Sequence, residues 1–381
     1  GSAVTISPTV SFNNASLTEG ADYTTSFTNN TNAGTASLTL TGTGNFTGTK
    51  TVSFTIVKAA PTISFNDVSK TYGEVDFDLT ATSSSTGAFS YTISDANVAT
   101  VTGSTTTIVG AGTTTVTVSQ VADDNYNSAT ATMTLTVSQA DIATATVASI
   151  TDQTFTGSAV TISPTVSFNN ASLTEGTDYT TSFTNNTNAG TASLSLTGTG
   201  NFTGTKTVSF TIVKADPSIT FNDITKTYGE SDFNLAATSS STGAFTYTIS
   251  DANVATVTGS TTTIVGAGTT SVTVSQAADD NYNSATATMT LTVSQADIST
   301  ATVASISDQT YTGSAITISP TVTFNGSTVT ETTDYTVSFA NNTNAGTASL
   351  TITGTGGNFT GSKTVSFTIV KADPSITFND I

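Results

Sequence analysis

The chain repeats itself every 156 residues, and near-identical copies cannot each hold a private active site. Gly1-Ser2-Ala3-Val4-Thr5-Ile6-Ser7-Pro8 returns at Gly157–Pro164 and, with one change, at Gly313–Pro320. Asp95-Ala96-Asn97-Val98 returns at Asp251–Val254. Repetition gives a protein length, spacing or multivalency. The pattern therefore speaks of architecture and role far more than of any one ligand.

Each period holds two different units, here A and B. B occupies residues 59–139 and 215–295; A occupies 140–214 and 296–371. Residues 1–58 read as an A unit lacking its beginning, and 372–381 as the first strand of a further B. The chain opens inside one repeat and closes inside another, so it reads as an excerpt of a longer array. Export signals and anchors are then expected outside it.

Period-two alternation marks both units as all-β. In the last segment of B, Ala129, Ala131, Met133, Leu135 and Val137 alternate with Thr130, Thr132, Thr134, Thr136 and Ser138. That pattern places one set on a core face and the hydroxyls in solvent. At the end of A, Val52, Phe54 and Ile56 alternate with Thr51, Ser53 and Thr55. β-Branched Thr suits an exposed pleat. Turn residues separate the runs: Asn29-Asn30-Thr31-Asn32-Ala33-Gly34 and Gly44-Asn45-Phe46-Thr47-Gly48 in A. In B, Ser83-Ser84-Ser85-Thr86-Gly87 reads as a loop and Gly110-Ala111-Gly112 as a tight turn or bulge. Short strands at this spacing predict a tandem array of small immunoglobulin-like β-sandwich modules. The joints Gln139-Ala140-Asp141 and Lys214-Ala215-Asp216-Pro217 contain no Gly/Ser tether. They predict an extended, semi-rigid rod, with about 30–40 Å per module if strands of about ten residues run along it. Alternating unlike units also keeps each module away from its twin, which limits strand exchange during folding.

The charge balance excludes whole classes of partner. Twenty-six acids against 8 basic residues give a net charge of −18, and every basic residue is a lysine. No basic patch is available for phosphates, so nucleic acid is excluded as a partner. Anionic membrane surfaces should repel the chain, and no apolar stretch is long enough to insert. His, Cys and Trp are absent. Without His, Cys or Arg the chain lacks the usual bases, nucleophiles and oxyanion clamps, and it reads as a non-enzyme.

The motifs resemble two families of bacterial surface-adhesin repeats. Unit B is similar to bacterial immunoglobulin-like (BIG2-like) modules. The resemblance is carried by Tyr91-Thr92-Ile93-Ser94-Asp95-Ala96-Asn97-Val98-Ala99-Thr100-Val101, by Thr107-Ile108-Val109-Gly110-Ala111-Gly112-Thr113, and by Asp123-Asp124-Asn125-Tyr126-Asn127-Ser128-Ala129. Unit A resembles MBG-type repeats through Tyr311-Thr312-Gly313, Asp334-Tyr335-Thr336-Val337-Ser338-Phe339, Asn341-Asn342-Thr343-Asn344-Ala345-Gly346-Thr347-Ala348 and Gly357-Asn358-Phe359-Thr360-Gly361. The resemblance covers essentially the whole chain. It implies stalks of large extracellular proteins and brings no catalytic residues with it. The third A departs from the second by the added Gly357 and by Gly326 in place of Asn170.

Several residues invite a functional reading beside a plainer one. Glu74, Asp76 and Asp78 suggest a carboxylate pair of the glycosidase kind. The second copy reads Glu230, Asp232 and Asn234, so the third acid is not kept. Strand alternation expects all three toward solvent, with Val75, Phe77 and Leu79 opposite. Calcium is the one cofactor the residues suggest: Asp123-Asp124-Asn125-Tyr126-Asn127 and its copy at Asp279–Asn283 offer clustered oxygens. Asp141, Asp216 and Asp297 lie at joints where an ion would stiffen the array. The plainer reading, which we prefer, is that these residues build turns. No catalytic, cofactor-binding or metal residue is therefore assigned. Tyr126 and Tyr282 are expected at sandwich corners with the hydroxyl bonded to backbone, as in a tyrosine corner. Lys70 and Lys226 raise an isopeptide bond, against an ordinary surface lysine. Asn14 and Asn45 match N-glycan acceptors, as chance allows in so Asn- and Thr-rich a chain. Thr-rich faces raise ice binding, which sheet twist opposes.

These readings converge on a structural stalk or filament segment of a large bacterial cell-surface adhesin, extracellular and non-catalytic. Its expected partners are like chains or the cell envelope, with a surface glycan or protein held by a tip outside this segment. The alternative is a multivalent module in which each repeat weakly binds a glycan, a host protein or a neighbouring chain.

Overall fold

The structure, a computed structural model, describes residues 1–374 and 377. The expected opening strand of a further B at 372–381 rests mainly on residues outside that set. Among the described residues nearly all regular structure is β, in many small sheets, and the helical content is two single 3-10 turns, Ile142–Thr144 and Ile298–Thr300. Contacts group the chain into two compact units, one of residues 1–151, 161–184 and 192–210 and one of 152–160, 185–191 and 211–381.

The first unit contains the first B repeat. Its main sheet runs in the order Phe89–Ile93, Gly112–Gln120, Ala129–Ser138 and Val68–Thr71. A second sheet pairs Ala99–Thr102, Thr105–Ile108 and Phe77–Asp78. Leu79, Val98, Ala99, Val116, Met133, Leu135 and Val137 fill the space between them. The alternation read in Ala129–Ser138 holds: Met133, Leu135 and Val137 are buried, while Thr130, Thr132 and Thr134 are exposed. The outer face of this sheet carries hydroxyls in cross-strand register, Thr113 opposite Thr136, Thr115 opposite Thr134 and Thr117 opposite Thr132. Gln120, 2% exposed, is one of the buried polar residues of this repeat, with Ser85, Thr106 and Thr114. Its amide donates to the Ser85 and Gly87 carbonyls at 3.1 and 2.8 Å, strapping down the segment read as a loop.

The second unit contains the second B repeat with the same pairings and the third A repeat. That A repeat has a four-stranded sheet in the order Gln309–Thr310, Ser362–Val370, Gly346–Gly354 and Tyr335–Ala340. Opposite it lie Thr302–Val303, Val322–Phe324 and Ser327–Thr328. Ile298, Val322, Leu350, Ile352, Phe359, Phe367 and Ile369 make its core. Buried Tyr335 donates its hydroxyl to the Pro320 carbonyl at 3.4 Å.

One topological feature recurs. In each B the early strand pairs in parallel with the last: Val68–Thr71 with Leu135–Ser138, and Ile224–Thr227 with Leu291–Ser294. The third A does the same with Gln309–Thr310 against Ile369–Val370. In the first A, Thr49–Ile56 ends its sheet with no such partner among the described residues. Phe54 there is only half-buried, whereas Phe367 is 4% exposed. The opening segment thus closes an A core as well as connecting it.

Candidate functional site: the joints between repeats

The joints between repeats are of two kinds. The joint from B to A is aromatic. Val68–Thr71 ends in a turn where the Tyr72 N–H donates to Ser138 O at 2.9 Å and Gly73 adopts φ +85°. The turn presents Tyr72 to the next repeat. Its ring stacks on Phe168 (6.4 Å between centroids, 14° between planes) and meets Phe202 edge-on at 5.5 Å. Phe168 and Phe202 are edge-on to each other at 5.2 Å. Tyr72 thereby packs against the cores of both repeats. Each such ring pair contributes about 0.5–1.5 kcal/mol beyond the area it buries.

Hydrogen bonds rim the rings. Asn169 Nδ2 donates to Gly73 O at 2.8 Å, Asn201 Oδ1 accepts from the Ala111 N–H at 2.8 Å, and Gln139 Nε2 donates to Gly200 O at 2.8 Å. Glycine is required where the surfaces close: a Cβ on Gly73 would lie 2.3 Å from Phe168 Cε1, and one on Gly110 would lie 3.2 Å from Asn201 Oδ1 across the joint and 2.6 Å from Asn97 O of its own repeat. The second B to A joint repeats this with Tyr228, Phe324 and Phe359, at 6.3, 5.4 and 5.0 Å. Asn325 donates to Gly229 O at 2.7 Å and Asn358 accepts from the Ala267 N–H at 2.8 Å.

The joint from A to B is polar. Asn125 Oδ1 accepts from the Ala33 N–H at 2.8 Å, while its amide donates to Asn32 Oδ1 at 3.2 Å. Lys58 Nζ donates to Asp123 O at 2.5 Å, and Asn127 Nδ2 donates to Lys58 O at 3.2 Å. Asn281 and Lys214 repeat the set against Ala189, Asn188 and Asp279. Among the described residues the one ring contact at these joints is Tyr282 edge-on to Phe155 at 5.3 Å.

Asp123 anchors that polar loop. Its Oδ2 accepts from the Ser85 hydroxyl at 2.7 Å and from the Thr86 N–H and hydroxyl at 2.8 and 3.1 Å. Its Oδ1 accepts from the Asn125 and Tyr126 N–H groups, both at 2.8 Å. The Ser85 hydroxyl first, then the Thr86 N–H, hold this carboxyl far below the usual carboxylate range. Asp279 is held down likewise, by the Thr242 N–H first and then that of Asn281. The donors surround an anion, the inverse of the oxygen cage that calcium requires. The joint acids are likewise engaged: Asp141 and Asp297 accept from the Ala143 and Ser299 N–H groups as N-caps, and Asp216 accepts from Asn283. Among the described residues no group of three or more acids forms a metal-binding cluster.

Other sequence candidates are placed apart. Glu74 caps the Tyr72 turn, accepting from the Thr71 N–H at 2.8 Å and pairing with Lys70 at 3.0 Å. Lys70, the first cause, keeps the Glu74 carboxyl below its ordinary value. Asp78 accepts from Thr105 at 2.7 Å. Asp76 is exposed. Val75 does not face inward with Phe77 and Leu79 as alternation predicts; it is 85% exposed, because the turn runs on until the strand begins at Phe77. Lys70 lies 5.1 Å over the Phe77 ring, with its ammonium on Glu74 instead of an asparagine. Tyr126 and Tyr282 do not form the expected corner. Their N–H groups bond Asp123 and Asp279, and neither hydroxyl makes a hydrogen bond among the described residues. Asn45 stands in the glycan-like triplet whose counterparts, Asn201 and Asn358, are joint residues. Tyr72 and Tyr228 are joint residues that the sequence alone does not single out. The available signal was the Tyr-Gly pair kept in both B copies.

No family model matches the chain, and no curated protein matches it either. Among solved structures it is similar to the Drosophila N-cadherin EC1-4 crystal structure, with 11% identity, 81% of this chain and 99% of that one covered, and a TM-score of 0.23. It is also similar to surface layer protein SbsC domains 1-6 (17% identity; 91% of this chain and 58% of that one; TM-score 0.20). A third is the I-band fragment I67-I69 from titin (13% identity; 62% and 99%; TM-score 0.27). Superpositions this poor add nothing to the strand pairings described above. Among the described residues no helix is long and apolar enough to cross a membrane.

Proposed function

We propose that the chain is a non-catalytic, tension-bearing stalk or filament segment of a large repetitive bacterial cell-surface adhesin. Its modules divide at 58/59, 139/140, 214/215 and 295/296, work outside the cell, and supply length and spacing. Partners are like chains or the cell envelope, and a tip outside this segment holds a surface glycan or protein.

The observation that carries this reading is the parallel pairing of early and last strands within a repeat. Parallel neighbours pulled from opposite ends load their hydrogen bonds in shear, so the bonds must break together and not one by one. Forced unfolding is governed by that barrier and not by equilibrium stability. Built joints and an acidic, hydroxyl-rich surface suit the same role.

Single-molecule pulling of the full chain tests it. The expected result is discrete ruptures whose force drops when Ser69→Pro interrupts Val68–Thr71. Featureless extension at low force in both forms would contradict it. A glycan array addresses the multivalent alternative, which requires binding that grows with repeat number.

A further inference from the structure

The two B to A joints differ at one atom-level detail with a chemical consequence. The turn that supplies the rim asparagine is Asn169-Asn170 in the second A repeat and Asn325-Gly326 in the third, the one Asn-Gly pair in the sequence. Asn325 (φ +50°) and Gly326 (φ +82°) are the two central residues of a tight hairpin closed by the Phe324–Ser327 pair. Both are exposed, and the Gly326 N–H makes no hydrogen bond among the described residues. A glycine after asparagine leaves its backbone nitrogen uncrowded.

We propose that Asn325-Gly326 is a self-modifying site, an intramolecular deamidation that makes the second B to A joint a timed weak point. The Gly326 nitrogen attacks Asn325 Cγ, the side-chain nitrogen leaves as ammonia, and a five-membered succinimide closes. Water then opens the ring at either carbonyl to give aspartate or isoaspartate. One water is consumed and one ammonia released, with no change of oxidation state. The amide lost is the one that donates to Gly229 O at 2.7 Å across the joint. A carboxylate there sets oxygen against oxygen, and isoaspartate adds a backbone carbon to the tight turn. The first joint, with Asn169 donating to Gly73 O at 2.8 Å, has a side chain on the following residue and is spared.

The test ages the folded full chain in mildly alkaline buffer and maps its peptides by mass, with an isoaspartate-specific methylation assay. Deamidation at Asn325 is expected on the order of tenfold faster than at Asn169, and Gly326→Asn should remove the excess. Asn325→Asp should raise hydrogen exchange along Val322–Phe324 while Val166–Phe168 keeps its protection. Equal rates at the two asparagines, or an unchanged Asn325 rate in Gly326→Asn, would overturn the site. Unaltered exchange in Asn325→Asp would overturn the weak point.

Discussion

The two kinds of joint are equally short, yet they are made of different material. From B to A the chain turns a tyrosine into its neighbour, and one ring belongs to two cores. From A to B it lays an asparagine, a lysine and an aspartate loop against backbone groups. Apolar contact scales with buried area and transmits stability from one repeat to the next. Solvent-facing hydrogen bonds exchange partners with water and each net about 1 kcal/mol, so they set an angle without merging cores. The array is thus paired by packing, with each B bound closely to the A that follows it.

Tyr72→Ala should break the comparison most severely. It removes packing from two cores and is expected to cost about 3 kcal/mol by chemical denaturation, whereas Tyr72→Phe should leave the joint intact. Gly73→Ala is the next in size. Its methyl meets the Phe168 ring in a left-handed backbone position, and a fall in melting temperature smaller than that of Tyr72→Ala is expected. Asn125→Ala strands the Ala33 N–H and should cost about 1 kcal/mol, without altering hydrogen exchange in the A core. The polar joint should also be the more acid-sensitive one, because its Asp123 and Asp279 are held lower than Glu74, Glu230 and Asp297 at the aromatic joints. Asp123 and Asp279 have folded pKa values below their ordinary 3.8, so the unfolded chain binds protons first as pH falls. Their contribution is full above that value and is lost as pH drops through the folded one. Melting followed against pH should show this loss, and Asp123→Asn should reduce it. Smallest of all is the effect of a chelator: because the joint acids are satisfied by N–H and O–H donors, melting should be unmoved by it.

Much of the fold is legible in the residues themselves. Alternation in Ala129–Ser138 places every inward side chain, because a pleated strand has a period of two and one face is buried. Asn and Gly locate turns, since they tolerate the left-handed conformations found at Asn13, Asn29 and Gly73. The joint is less legible. Tyr72 is a lone aromatic in a turn, and the partners that give it a purpose lie about a hundred residues further on, at Phe168 and Phe202. Asp123 reads as a turn builder and is one, but its donors at Ser85 and Thr86 come from another loop. Alternation misplaces Val75 because it cannot show where a turn ends and a strand begins.

Residue-resolved hydrogen exchange on the full chain, with and without Tyr72→Ala, tests the shared core most directly. The packing predicts that protection falls together in Gly112–Gln120 of the first B and at Leu194 and Leu196 of the following A, while Gly268–Gln276 of the second B is unchanged. Loss confined to the first B, with Leu194 and Leu196 as protected as before, would contradict it.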